Sequence, residues 1–272
     1  MKSIPTPGSA RRSRLSLVLG SGDLITLDRA QDALGIDRQA AAKLLARWTH
    51  QGWVTRIRRG VYAPVPLGAS QAKVAVEDVW ILVPELFGPG YVGGASAAHH
   101  WDLSEQLFRT VFVYTTQVVR RTKQTIHGTR FSVHHIDPRL LFGTRPLWRG
   151  NIKIDVSDVH RTLIDMLSDP AIGGGARHIA DCLAAYFGRN DADPKRLIEY
   201  GDRVANGAVF KRLGFLGERT GAPASVIDAC LRRLTKGYAN LDPALAAPHV
   251  VRRWHLRIPA SWKGAARNDS RH

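Results

Sequence analysis

The stretch from Ile36 to Val65 (IDRQAAAKLLARWTHQGWVTRIRRGVYAPV) constrains the fold of this chain more than any other. Its hydrophobic spacing describes a helix, a tight turn and a two-stranded ribbon. With Asp37 as N-cap, Ala41, Leu44, Leu45 and Trp48 fall on one helix face at roughly 100° per residue. Gln39, Ala42, Lys43, Ala46 and His50 fall on the opposite face, and Arg38 and Arg47 flank it. Small alanines between a Gln and a Lys leave the backbone there unshielded, as a helix pressed into a DNA groove requires. After the turn, Trp53, Thr55 and Ile57 alternate with Val54, Arg56 and Arg58, so one set should face the helices and the other solvent. Arg56, Arg58 and Arg59 surround Gly60, the residue in this ribbon that accepts positive φ freely. A helix able to enter the major groove, followed by a cationic hairpin, is the physical content of a winged helix-turn-helix.

The residues upstream complete that unit. Ala10 to Leu19 reads as a short helix with Leu15, Val18 and Leu19 inward, ended by Gly20-Ser21-Gly22. Leu24-Ile25 reads as a strand stub. Thr26 is a good N-cap for a helix over Leu27 to Leu34, with Asp28 in the favourable first turn. Gly35 suits the position just past a helix end. The short link Gly35-Ile36-Asp37 is what a helix-turn-helix needs. Pro64 and Pro66 close this domain, assigned to residues 1–68, and Leu67-Gly68-Ala69-Ser70 reads as a linker.

The chain's formal net charge is +16, which favours a polyanionic partner. Residues 1–68 carry +7 and the other 204 residues +9, so the first quarter is roughly twice as basic per residue as the whole. The 44% apolar share supports packed cores and excludes a disordered polycation. Cys182 and Cys230 lack metal-ligand spacing and fit a reducing compartment. No apolar run reaches the roughly 18 residues of a membrane span, and Leu15–Leu19 is too short for a signal peptide. The expected location is cytoplasmic, with no membrane partner.

Residues 69–262 read as an α+β domain with strands first and helices later. An apolar helix over Val76–Phe87, capped near Asp78, precedes a break at Tyr91–Gly94 and a short helix over Ala95–Trp101. Strands are expected at Val111–Thr115, at Thr125–Ile136 with a turn near Gly128, and at Asn151–Val156. Ser157 is the expected cap of a helix to Leu167, whose Arg161 and Asp165 are spaced to pair. Gly173-Gly174-Gly175 leads into a helix ending at Phe187, and Asp193-Pro194 opens another. Further helices are expected over Gly207–Thr220 and Pro223–Leu234, then a strand over Val250–Ile258. The basic tail 263–272 lacks core-forming residues and reads as disordered. Arg203, Lys211 and Arg212 suggest a basic face for a partner.

Catalytic patterns are lacking. The Gly173 triplet has no following Lys and Ser/Thr of a phosphate loop. His99-His100 and His134-His135 are adjacent pairs whose side chains point apart, unlike HExxH. Gly94-Ala95-Ser96-Ala97-Ala98 lacks the second Gly of a nucleophile elbow. Lys153 precedes Asp155 without a second acid, unlike a metal-dependent nuclease. The chain reads as a non-enzyme without cofactor or metal.

Four blocks, GWVTRIRRGVYAPV, YVGGASAAHHWDLSEQ, VSDVHRTLIDML and VFKRLGFLGE, resemble in order those of the AbiEi family. The likeness covers about residues 20–258, with departures at His160-Arg161-Thr162, where E-R-T is expected, and at Ala95, where an aromatic is common. It implies an antitoxin of a toxin–antitoxin operon whose N-terminal winged helix represses its own promoter. The implied partner is a nucleotidyltransferase-like toxin from the neighbouring gene, with antitoxicity in the second domain. On this reading Arg38 and Gln39 reach base edges, Lys43 and Arg47 hold phosphates, and Arg56, Arg58 and Arg59 form the wing contact with double-stranded DNA, in two copies on repeated half-sites. The alternative is a stand-alone winged-helix regulator whose second domain senses a ligand or partner.

Overall fold

Residues 16–18, 24–65 and 78–265 are described by a computed structural model. The fold is α+β, and internal contacts divide it into two units. One comprises residues 1–86, 125–130 and 146–154; the other comprises 87–124, 131–145 and 155–272. Much of the expected first helix, the 67–70 linker, the start of the Val76–Phe87 helix and most of the basic tail lie outside the described residues.

In the first unit the order is β1 (Ile25–Thr26), α1 (Leu27–Leu34), α2 (Arg38–His50), β2 (Val54–Arg58) and β3 (Val61–Pro64). The three strands form a sheet of order β1-β3-β2, with both pairings antiparallel. Local chemistry sets each boundary. Thr26 caps α1 by accepting from Arg29 N at 3.1 Å. Gly35 ends that helix at φ +61°, and Asp37 caps α2 by accepting from Ala40 N at 2.8 Å. The core consists of Val18, Ile25, Ala30, Ala41, Leu45, Trp48, Val54 and Tyr62, with Leu44 packed partly buried against it.

Val54 corrects the expected alternation, because it is fully buried rather than facing solvent with Arg56 and Arg58. Trp53 N donates to Trp48 O at 2.9 Å, so the strand begins tight against the last turn of α2. There the two faces of the ribbon are both covered: Trp53 lies 6.5 Å from the Trp48 ring, and Val54 enters the core. Further along, a register shift between Arg56 and Arg58 bends the strand and leaves both arginines exposed.

The chain continues through a 3-10 turn at Val79–Ile81 into α3 (Leu82–Phe87), then β4 (Gly90–Val92), α4 (Gly94–His100), β5 (Thr110–Thr115), β6 (Lys123–Ile126), β7 (Thr129–His135), β8 (Thr144–Arg149) and β9 (Ile152–Ser157). These strands form a six-stranded sheet of order β6-β7-β5-β4-β9-β8, in which β4 is antiparallel to β5 and parallel to β9. Helices α5 (Val159–Ser168), α6 (Ala176–Phe187), α7 (Pro194–Val204), α8 (Gly207–Gly217) and α9 (Ala224–Leu231) follow. Three short strands follow, β10 (Ala239–Asn240), β11 (His249–Val251) and β12 (Leu256–Ile258), and then a 3-10 turn at Ala260–Ala265, which takes in the first three residues of the tail expected to be disordered. The single strand expected over Val250–Ile258 is thus two strands, separated by a 3-10 turn at Arg252–Trp254. The cap of α5 is Asp158, accepting from Arg161 N at 2.8 Å, while the Ser157 hydroxyl pairs instead with Thr162 Oγ1 at 2.7 Å.

In the second unit, α8 runs through the core and every residue from Val209 to Gly217 is buried. Trp254 packs against its backbone at Gly214, where an added Cβ would overlap the indole ring. A Gly→Ala change inside a helix normally stabilises by about 1 kcal/mol. Here overpacking, which costs about 1–3 kcal/mol, outweighs it because the ring is enclosed. Gly214→Ala should therefore lower the thermal midpoint, whereas Gly188→Ala, with ordinary neighbours at 3.5 Å and 3.6 Å, should not.

Candidate nucleic-acid interface

Burying Ala41, Leu45 and Trp48 turns a defined set of α2 side chains outward. Gln39, Lys43, Ala46, Arg47 and His50 are exposed, and Ala42 is half-buried between them. This is the face expected from the sequence. At the tip of the β2–β3 ribbon, Gly60 adopts φ +83° and its carbonyl accepts from Leu27 N at 3.2 Å, tying the wing to the start of α1. Arg56, Arg58 and Arg59 are exposed there.

The structure sorts these cations by what they already hold. Arg38 pairs with Asp28 at 2.5 Å across an exposed surface. Such a pair is worth at most about 1 kcal/mol and yields readily to a better anion. Arg58 donates from Nη1 to Leu86 O at 3.0 Å and from Nη2 to Glu85 O at 2.8 Å, both in the same unit. Its guanidinium is therefore spent on backbone, a role that sequence reasoning missed. Among the described residues the one hydrogen bond of the Arg56 side chain is a long contact, Nε to Arg58 O at 3.4 Å. Gln39, Lys43, Arg47 and Arg59 are exposed, and among the described residues no hydrogen bond or ion pair ties their side chains.

The expected basic partner face does not form. Lys211 and Arg212 are buried at 3% and 5% exposure. Lys211 Nζ donates to Gly237 O. Arg212 donates to Asn240 O at 3.0 Å, Leu167 O at 2.7 Å and Ser168 O at 3.0 Å, so it supplies a cation to the carbonyl end of α5. Arg203 is exposed, but its guanidinium stacks 3.7 Å from the Phe142 ring centre. A helix buried on all sides leaves its cations no solvent to reach, and backbone carbonyls take them instead.

A polar cluster lies inside the second unit. Tyr91 OH donates to Asp165 Oδ2 at 3.0 Å, and Arg161 donates to Asp165 Oδ1 at 2.8 Å and to Tyr91 OH at 2.9 Å. Arg161 also lies 4.3 Å from the Phe142 ring centre, on the ring that Arg203 covers. Burial pushes the Asp165 carboxyl up to about 6, while Arg161 and the Tyr91 hydroxyl pull it down. Arg161 and Asp165 are 2% and 3% exposed, so the cluster ties β4 to α5 and offers no opening to a substrate.

The other chemical candidates are engaged or enclosed. Cys182 and Cys230 are free and buried, and burial pushes both thiols up to about 12. His134 bonds to Ser132 at 2.9 Å and His135 to Gln117 O at 3.0 Å, so these neighbours point apart. Among the described residues no group of three or more His, Cys, Asp or Glu is placed to hold a metal ion. Among the same residues no helix is long and apolar enough to cross a membrane.

Comparison with known proteins bears first on the winged helix. Residues 14–65 match the family model described as transcriptional regulator, AbiEi antitoxin. No curated protein matches the sequence. The fold resembles the crystal structure of the RV2827C protein from Mycobacterium tuberculosis, with a TM-score of 0.65 at 17% identity, covering 94% of this chain and 93% of that one. At that identity the likeness speaks for the fold alone, and it extends over both units.

Removing one partner of a buried pair costs about 3–5 kcal/mol. In Arg161→Met the Asp165 carboxyl loses its counter-charge, and its folded-state pKa rises further above the ordinary 3.8. A carboxyl with a raised folded-state pKa adds stability that is full below its unfolded value and lost as pH rises through the folded one. Denaturant melts of Arg161→Met should therefore show a deficit that grows from pH 5 to pH 8. A deficit that does not change with pH would contradict the pairing.

Proposed function

We propose that this chain binds double-stranded DNA through α2 and the β2–β3 wing, and represses its own promoter as the antitoxin of a toxin–antitoxin operon. The observation that carries the reading is the exposed face of α2, where Gln39, Lys43 and Arg47 stand out from small alanines beside a wing bearing Arg56 and Arg59. The AbiEi match over residues 14–65 supports it from the same residues. Gln39 lies in the first turn of α2 and has the amide geometry to read an adenine edge, worth about 1–3 kcal/mol of discrimination. Lys43, Arg47 and Arg59 supply phosphate contacts, which fix register without reading sequence. One winged helix reads few base pairs, so two copies act on repeated half-sites. A nucleotidyltransferase-like toxin from the neighbouring gene is the second partner, and the larger unit is where antitoxicity resides.

A second reading, a stand-alone regulator that senses a ligand, is favoured by one observation. The second unit holds a cleft of about 920 Å³ lined by Arg177, Phe215, Arg219, Arg253 and Trp262. Co-expression with the neighbouring gene separates the two readings. Rescue of growth and co-purification support the antitoxin; a harmless neighbour supports the sensor.

Gel shifts on the chain's own promoter against random duplex test the site. Gln39→Ala should erode the preference for promoter by roughly five-fold to a hundred-fold, the equivalent of about 1–3 kcal/mol. Lys43→Ala with Arg47→Ala should weaken binding to the two duplexes alike. Wild-type protein that binds promoter and random DNA equally would overturn the reading.

A further inference from the structure

The second unit carries a cationic element that the winged helix does not account for. Between Glu105 and Asp137 the sequence holds Arg109, Arg120, Arg121, Lys123 and Arg130 and no acidic residue at all. Arg120, Arg121 and Lys123 sit on the loop from Thr116 into the start of β6, and all three are exposed. None of them makes an ion pair among the described residues.

The loop is held at both ends. Thr116 N donates to Pro89 O at 3.0 Å and Gln117 N to Thr115 Oγ1 at 3.0 Å. The Gln117 amide reaches Gly88 O, and Gln117 O meets His135 Nδ1 at 3.0 Å. At the far end Val133 N donates to Thr122 O at 2.7 Å and Gln124 Nε2 to Arg121 O at 2.9 Å. The backbone carrying the cations is thus ordered before any ligand arrives, which lowers the entropic cost of binding.

Edge protection explains part of this charge. β6 is an edge strand, and a lysine on such a strand discourages pairing with another chain. Lys123 meets that need by itself, whereas Arg120 and Arg121 precede the strand. A protein partner of ordinary size needs an apolar or aromatic centre. On this loop Val118 is the exposed apolar side chain, at 85%. A polyphosphate chain needs only repeated charge.

From this we infer that the 116–123 loop is a second DNA-backbone contact, in which Arg120, Arg121 and Lys123 bind phosphates without reading sequence. The inference rests on the DNA-binding reading above and adds a site outside the winged helix.

The test is fluorescence anisotropy of the full chain on promoter and random duplexes from 50 to 200 mM salt. Each phosphate contact adds about 0.9 to the slope of log K against log salt. Arg120→Ser/Arg121→Ser/Lys123→Ser should lower that slope by roughly 2–3 while the promoter preference stays. Arg120→Lys/Arg121→Lys should keep the wild-type slope, because a phosphate contact needs the charge rather than the guanidinium fork. A serine variant with the wild-type slope overturns the inference, and so does a lysine variant that behaves like the serine one. The winged-helix reading is scored separately through Gln39→Ala. If that change leaves promoter preference intact while the serine variant loses slope, the reading of α2 fails and the loop contact stands.

Discussion

A helix of thirteen residues, Arg38–His50, can bury one stripe, and which stripe it buries decides what the rest of the first unit offers. Here Trp48 is the anchor. The residue is 2% exposed and its carbonyl receives Trp53 N, so one residue seats the helix and sets where the ribbon begins. With Ala41 and Leu45 also turned inward, Gln39, Lys43 and Arg47 are left outward by the helical repeat. Stability and function are then the same geometric fact. Loss of the Trp48 contact would release the core and the exposed face together.

In the second unit the equivalent constraint is burial of charge. Arg161, Asp165, Lys211 and Arg212 all lie below 6% exposure. Each finds its partners locally, in one another, in the Tyr91 hydroxyl or in backbone carbonyls, since an unmatched charge there would cost several kcal/mol; Arg161 Nη1 alone of the Arg161 nitrogens has no hydrogen-bond partner among the described residues. These residues set the approach of β4 to α5 and of α5 to α8 through named bonds. Side chains so committed are poor material for a partner surface. The net charge that remains for partners lies on exposed loops and on α2.

Local rules made much of the first unit legible. Thr26, Gly35, Asp37 and Gly60 were readable because a cap or a positive φ depends on the residue and its immediate neighbours. Asp193 and the Gly175 lead-in were readable for the same reason. Tertiary effects were not. Val54 alternates correctly for a strand, yet the turn at Trp48 covers the face it was assigned to. Strand β8 (TRPLWR) contains Pro146 and lies at the sheet edge, where little of it is buried, so it lacks a strand's apolar signature. Lys211 and Arg212 looked like a basic face because pattern does not reveal that a helix is enclosed on all sides. The cationic loop before β6 lies in a domain whose acids elsewhere offset it, so its charge does not show in the domain's net value.

The claim that the exposed face of α2 reads DNA is tested most directly by hydroxyl-radical footprinting of the full chain on its own promoter. Protected sugars are expected on the two sides of a major groove and in the adjacent minor groove, repeated at half-sites about ten base pairs or a multiple of that apart. Uniform cleavage along the promoter, at protein concentrations that retard the same duplex in a gel, would contradict it.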